Sequence, residues 1–286
     1  MSFKGYIKEN LPWIRSIYRK RLAPINLIHN IFDKPVVVLL YHRVNHLNRD
    51  LFNINVTPDN FERHIRILKN HYNVITFNDL KRNDIKEPSV IITFDDGYYD
   101  NYKYAFPILK KYQVPATIFI TSGGVDTGKE FWWDRLETVL FENKNLRESI
   151  ELDILNQRHI FDISDDKKRL HSFYTLHHML FSLHPNERDM MLDRWYESYG
   201  LKVNPNNRTM TSSELIELYQ SQLVTLGAHT IHHPALKQIS REEQIQEIQS
   251  SKLFLENLLH TDIDIFAYPF GHKESFDQVT EQIVRD

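Results

Sequence analysis

Two carboxylates at the end of an apolar run are the first residues of this chain equipped for chemistry. The run is Val90-Ile91-Ile92-Thr93-Phe94, the pair is Asp95-Asp96, and Gly97 follows. A buried strand that stops on acids carries charge to the rim of a sheet, where parallel α/β proteins do their chemistry. Adjacent strand residues point to opposite faces, so the two acids are expected to do different jobs, one on a cation and one on a proton. A strand followed by a plain Asp-Gly turn is the bland alternative. A second cluster lies far along the chain. Leu223-Val224-Thr225-Leu226-Gly227-Ala228 reads as a strand that ends in His229, with His232 and His233 close behind. His229 and His233 are four residues apart, and on a turn at a strand end two imidazoles can converge on one ion. With a carboxylate from another strand they make the three-ligand plan of a catalytic metal site, which leaves a position open for water.

These groups need a scaffold that brings strand ends together. Val36-Val37-Val38-Leu39-Leu40 reads as a buried strand running into Tyr41-His42-Arg43. Thr57 and Pro58 open a helix as N-cap and first residue, with Phe61, Ile65 and Leu68 on its apolar face. A short strand over 73–77, a helix over 102–112 kinked by Pro107, and a strand over 116–120 follow. This alternation indicates parallel βα units. Residues 126–220 break it and read as a mostly helical, strand-poor insertion, in which the His177-His178 pair is expected at the surface. Thr211 and Glu214 have capping-box spacing. The alternation resumes with the His229 strand, a long amphipathic helix over 241–259, a strand over 263–270 and a helix within 275–285.

Composition excludes several classes. The 286 residues are 41% hydrophobic and 26% charged, as in a globular chain with a sizeable core. A net charge of −3 gives no global pull toward nucleic acid. With no cysteine there is no disulfide and no thiolate metal site, which leaves the fifteen histidines as the soft ligands. No stretch reaches the eighteen apolar residues of a membrane span. The start lacks a signal peptide's apolar region, so the default expectation is cytoplasmic. Residues 1–33 mix Lys4, Lys8, Arg15 and Arg19 with Phe3, Tyr6, Trp13 and Ile17. This basic amphipathic segment is expected to pack on the main domain, 34–286, and its alternative is a peripheral contact with a membrane or partner.

Thr93-Phe94-Asp95-Asp96-Gly97, His229-Thr230-Ile231-His232-His233 and Tyr268-Pro269-Phe270-Gly271 resemble the motifs of the polysaccharide deacetylases, carbohydrate esterase family four. Leu40-Tyr41-His42-Arg43-Val44 is similar to the branch acting on bacterial exopolysaccharides. The resemblance runs from about 36 to 286 and implies a distorted (β/α)7-type barrel. It implies Asp96, His229 and His233 as ligands of a divalent metal, zinc first, with cobalt or nickel as alternatives. Asp95 would be the general base, and the backbone N–H of Phe270 would hold the developing oxyanion. The substrate would be an N-acetylated glycan that loses acetyl groups, and Tyr268, Trp132 and Trp133 suit stacking on sugar rings. A place for the two tryptophans in the insertion core is the competing reading.

Two departures follow. The position of the family's base-orienting arginine is Ala267. The family's Leu-x-His segment, which supplies the general acid on a last strand, finds no match before Asp286, so a truncated chain with a missing closing strand is one expectation. His42, His232 and His272 lie at motif ends as substitute acids, with His42 foremost. A glycan-binding homologue with weakened turnover and a small-molecule amidohydrolase are the rival functions.

Overall fold

The computed structural model describes residues 35–286 apart from 83, 84, 86, 144–147 and 156, and the segment 1–33 lies outside the described residues. The chain runs β1 (Val36–Tyr41), β2 (Arg43–Val44), β3 (Asn55–Val56), α1 (Pro58–His71), β4 (Asn73–Val74), α2 (Phe77–Lys81), β5 (Ser89–Phe94), α3 (Phe106–Tyr112) and β6 (Ala116–Ile120). There follow α4 (Trp132–Glu137), β7 (Ser149–Ile154), β8 (Gln157–Asp162), α5 (Asp166–Phe181), α6 (Pro185–Tyr199), α7 (Ser212–Gln220), β9 (Val224–Ala228), α8 (Arg241–Leu259) and α9 (Gln278–Arg285).

β1, β5, β6 and β9 lie side by side, all parallel, and β4 flanks the start of β5. This is an α/β architecture with the strand–helix rhythm of a distorted barrel, and among the described residues the parallel strands form an open arc. Every residue of β5 is buried, as expected for a strand with neighbours on both sides. Phe61, Ile65 and Leu109 pack from the helices onto Ile92, Phe94, Ile118 and Leu226 in the main core. Thr57, Thr211 and Ser240 cap α1, α7 and α8 through their hydroxyls, and the last two close capping boxes with Glu214 and Glu243.

Four expectations change. β1 is an edge strand rather than a buried one. Among the described residues it pairs with β5 alone, and Val37, Val38 and Leu40 are about half exposed. A β-branched run reports strand propensity and says nothing of how many neighbours the strand finds. The helix expected from Tyr102 opens as a wider turn over Asn101–Ala105, and α3 begins only at Phe106. Pro107 lacks the N–H for an i−4 bond and sits in the first turn of α3, where none is needed. Residues 126–220 hold, beside their helices, the antiparallel hairpin β7–β8. Ile150, Leu152 and Ile154 point into a second core with Phe173, Leu176 and Leu192, and the intervening Glu151 and Asp153 face water. The strand expected over 263–270 shrinks to a single parallel bridge from Phe266 to Ala228.

Candidate active site

The register gathers the functional groups. Tyr41 pairs with Phe94, Phe94 with Ile118, and Ile120 with Ala228, which bridges Phe266. The C-terminal ends of these strands therefore lie together, and His42, Asp95, Asp96, His229 and the turn at Phe270 follow directly from them. The backbone at these ends bends through the left-handed region, with φ of +74° at Asp96, +65° at Thr230, +53° at His233 and +62° at Phe270. Each such residue costs roughly 1–3 kcal/mol, so neighbours must over-determine it. Thr121 N–H donates to the Asp96 carbonyl at 3.3 Å, and Met210 N–H to the Gly97 carbonyl at 3.0 Å. Gly97, at φ +80°, lies where a β-carbon would meet Ile120 Cδ1 at 3.0 Å. Glu247 of α8 accepts the N–H groups of Ile231 and His232 at 2.8 and 2.9 Å, fixing the histidine loop from outside.

Asp96, His229 and His233 are almost wholly buried, and one ligand atom from each lies within 4.8 Å of the others. Asp96 Oδ1 is 3.6 Å from His229 Nε2 and 3.3 Å from His233 Nε2. His229 Nδ1 is 2.8 Å from the Ala267 carbonyl. A carbonyl only accepts, so Nδ1 carries a proton and Nε2, turned toward Asp96, is the atom left to meet a cation, the arrangement of a metal-ligating histidine. Burial alone would raise the Asp96 carboxyl, yet the two imidazoles hold it far below the usual carboxylate range. Burial lowers His233 to about 4, so it is a neutral donor at neutral pH. Two imidazoles and an ionised carboxylate converging in a dry pocket fit a divalent cation and leave a coordination position open.

Asp95 stands beside this group, half-buried, and burial raises its carboxyl. No described side chain donates a hydrogen bond to it, and Ala267 brings none. The Phe270 ring packs edge-on against His233 at 4.5 Å, and its backbone N–H makes no hydrogen bond to a described residue. A cavity of about 280 Å³ collects Asp95, Asp96, His229 and His233 with His42, Trp133, His177, Tyr268 and Phe270.

Several expected site residues stand elsewhere. Trp132 does not reach the cavity. Its ring is buried between the Arg188 guanidinium, 4.6 Å above it, and His177, so it has no free face for a sugar. Trp133 lines the cavity with its ring 5.0 Å from His233. His232 is drawn away by Glu247 at 2.6 Å, and exposed His272 contacts Ser275 at 2.8 Å. Of the three substitute acids, only His42 lines the cavity. His177, expected at the surface, faces into the same cavity, and His178 beside it is exposed.

A buried ionic hub behind the site was not foreseen. Arg43 Nε donates to Asp100 at 2.8 Å, and its Nη1 lies 3.4 Å from Asp134. The guanidinium covers the Tyr98 ring, Tyr98 donates to Asp134 at 2.8 Å, and Trp133 Nε1 donates to the Tyr98 hydroxyl at 2.6 Å. The hub thereby fixes the tryptophan that backs His233. Arg43→Met strands two buried carboxylates and is expected to lower the unfolding free energy by about 3–5 kcal/mol. Urea denaturation measures it, and a loss below about 1 kcal/mol would show that the hub is not the brace described.

A family model described as polysaccharide deacetylase matches residues 82–146 and 190–286. YxkH of Bacillus subtilis, named for the same family, is 42% identical over 96 residues, which is 31% of this chain and 33% of YxkH. The poly-beta-1,6-N-acetyl-D-glucosamine N-deacetylase of Staphylococcus aureus (strain MSSA476) is 36% identical over 110 residues, 32% of this chain and 38% of that protein. The matches thus span only about a third of these curated relatives. The solved structure of IcaB from Ammonifex degensii superposes with a TM-score of 0.55 at 18% identity, covering 88% of this chain and 80% of IcaB. The Streptococcus pyogenes deacetylase PplD gives 0.52 at 21%, covering 87% and 79%. Both share the fold. With the family model matching more than half of the residues, and doing so across the strand ends that carry Asp95, Asp96, His229 and His233, the chain belongs to the polysaccharide deacetylase family.

Proposed function

We propose that the chain is a metal-dependent N-deacetylase that hydrolyses the acetamide of N-acetylated amino sugars in a glycan. The observation that carries this reading is the buried Asp96–His229–His233 group opening onto the same cavity as the Asp95 carboxylate, which takes no hydrogen bond from a described side chain. Asp96 and the two imidazoles hold the cation, with zinc first for such a donor set. A divalent cation there lowers the pKa of water and polarises the acetamide carbonyl. Asp95 takes the proton from the attacking water, and a buried carboxylate with a raised pKa is suited to that transfer. The free N–H of Phe270 donates to the carbonyl oxygen as it gains charge. His42 returns a proton to the departing amine, being the one candidate acid that lines the cavity. Trp133 and Tyr268 supply apolar wall for the sugar, and the name of the staphylococcal relative makes poly-N-acetylglucosamine the first polymer to try.

The test is acetate release from N-acetylglucosamine oligomers. Zinc-loaded protein is expected to release acetate, to stop after chelation and to resume when zinc is restored. Folded, zinc-loaded protein that releases none rules the reading out.

A further inference from the structure

Residues 147–189 lie between the two stretches that the family model matches, yet one of them, His177, lines the catalytic cavity. His177, in the fourth turn of α5, lines the cavity with Asp95 and the three candidate ligands. Aromatic rings hold the imidazole in place. It stacks on Trp132 with centroids 4.7 Å apart and planes at 28°, and it meets the Phe52 ring at 5.0 Å. One turn on, Phe181 sets its edge against the Phe270 ring at 4.9 Å, so the same helix also touches the turn that bears the free N–H. Trp132 is in turn pinned by the Arg188 guanidinium. Neither ring nitrogen of His177 hydrogen-bonds to a described residue. The residue is half-buried and borders the cavity, so these nitrogens are open to whatever enters it. An imidazole held by neighbouring rings, with its nitrogens uncommitted to any described residue at the cavity edge, is placed to hydrogen-bond a ligand there.

We propose that His177 is a substrate-contacting residue whose ring nitrogens hydrogen-bond a hydroxyl or acetamido group of the sugar being deacetylated. This rests on the deacetylase reading. It places part of the selectivity for the sugar in a segment that the family pattern does not describe. Burial and the neighbouring Arg188 lower His177 to about 4, so at neutral pH it offers one donor and one acceptor and no charge. That chemistry complements an uncharged sugar better than an anionic one.

The test compares zinc-loaded full chains of wild type, His177→Ala, His177→Phe and His177→Gln on N-acetylglucosamine pentamers. Metal content and melting temperature are recorded for each. His177→Phe retains an aromatic stack if His177→Ala fails to fold. Loss of one neutral hydrogen bond predicts kcat/KM about tenfold lower in the Ala and Phe variants, carried mainly by KM. His177→Gln, which keeps a donor and an acceptor, is expected to recover part of the loss. KM values within twofold of wild type in all variants overturn the proposal, and so does a Gln variant as impaired as Phe. If the wild type itself releases no acetate, the deacetylase reading fails and takes this inference with it. A working wild type with indifferent variants removes the inference alone.

Discussion

Asp95→Asn is expected to slow acetate release by about 10²- to 10⁴-fold, the usual share of general acid–base help, while binding as much zinc as the wild type. The substitution replaces one carboxylate oxygen with NH₂ and leaves the shape almost unchanged. Asp95 is outside the group of three atoms that converge on the candidate metal position, so the cation keeps its ligands. What is lost is a base. An amide cannot take the proton, and no described side chain is hydrogen-bonded to Asp95 to serve in its place. Single-turnover acetate release, paired with metal analysis of the same sample, gives both numbers. Activity above about a third of wild type would move the base to another residue. Loss of zinc would mean instead that Asp95 is a ligand.

His229→Ala is expected to weaken zinc binding at least about 100-fold, since even outer partners of metal ligands contribute 10- to 100-fold. The side chain has two roles here. Nε2 faces Asp96, and Nδ1–H is held by the Ala267 carbonyl, which loses that partner in the variant. Removing His229 leaves the buried Asp96 carboxylate with one imidazole in place of two. A ligand that binds only the folded state stabilises it by about 2.7 kcal/mol at a hundred times its dissociation constant. Wild-type protein should therefore melt at a higher temperature when zinc is added, and His229→Ala should show no such rise at the same concentration. An undiminished rise in the variant would remove His229 from the metal site.

Features written in local chemistry were legible in the sequence. Thr57 and Thr211 cap helices through atoms three residues away, and that spacing is visible without a fold. The all-buried β5 is visible as an unbroken apolar run. The candidate ligands could be singled out because acids and imidazoles at strand ends are chemically conspicuous. Features set by neighbours were not legible. Val37 and Val38 read as core, because a run of valines does not reveal that one flank of the strand has no partner among the described residues. The β7–β8 hairpin has clean alternation at Ile150, Leu152 and Ile154, but the helical stretches around it hid a period of two. Ile263 and Ile265 looked like a strand, although their segment makes one bridge and then turns at Pro269. His177 and Trp132 exchanged expected places: the histidine lines the cavity and the tryptophan lies beneath it. Their order depends on how α5 docks against α4, a contact between distant parts of the chain. For His177 the only sequence signal is its period with Phe173 and Phe181, which puts a polar residue on an apolar helix face.

The pairing of β6 with β9 also governs when the site can exist. Thr121 Oγ1 reaches the His229 carbonyl across 108 residues of chain, and the hairpin, α5 and α6 all lie inside that loop. Parallel strands joined at such separation must close the loop before their contacts reward it, which makes folding slow. The half of the sheet built from β1, β4 and β5 needs no part of that loop, so it is free to form first, carrying Asp95 and Asp96 with neither His229 nor His233 to face them. Metal capture is then a late event in folding. In a refolding experiment, zinc uptake would follow the slow phase that buries Trp132 and Trp133, even if most of the helix signal had already returned.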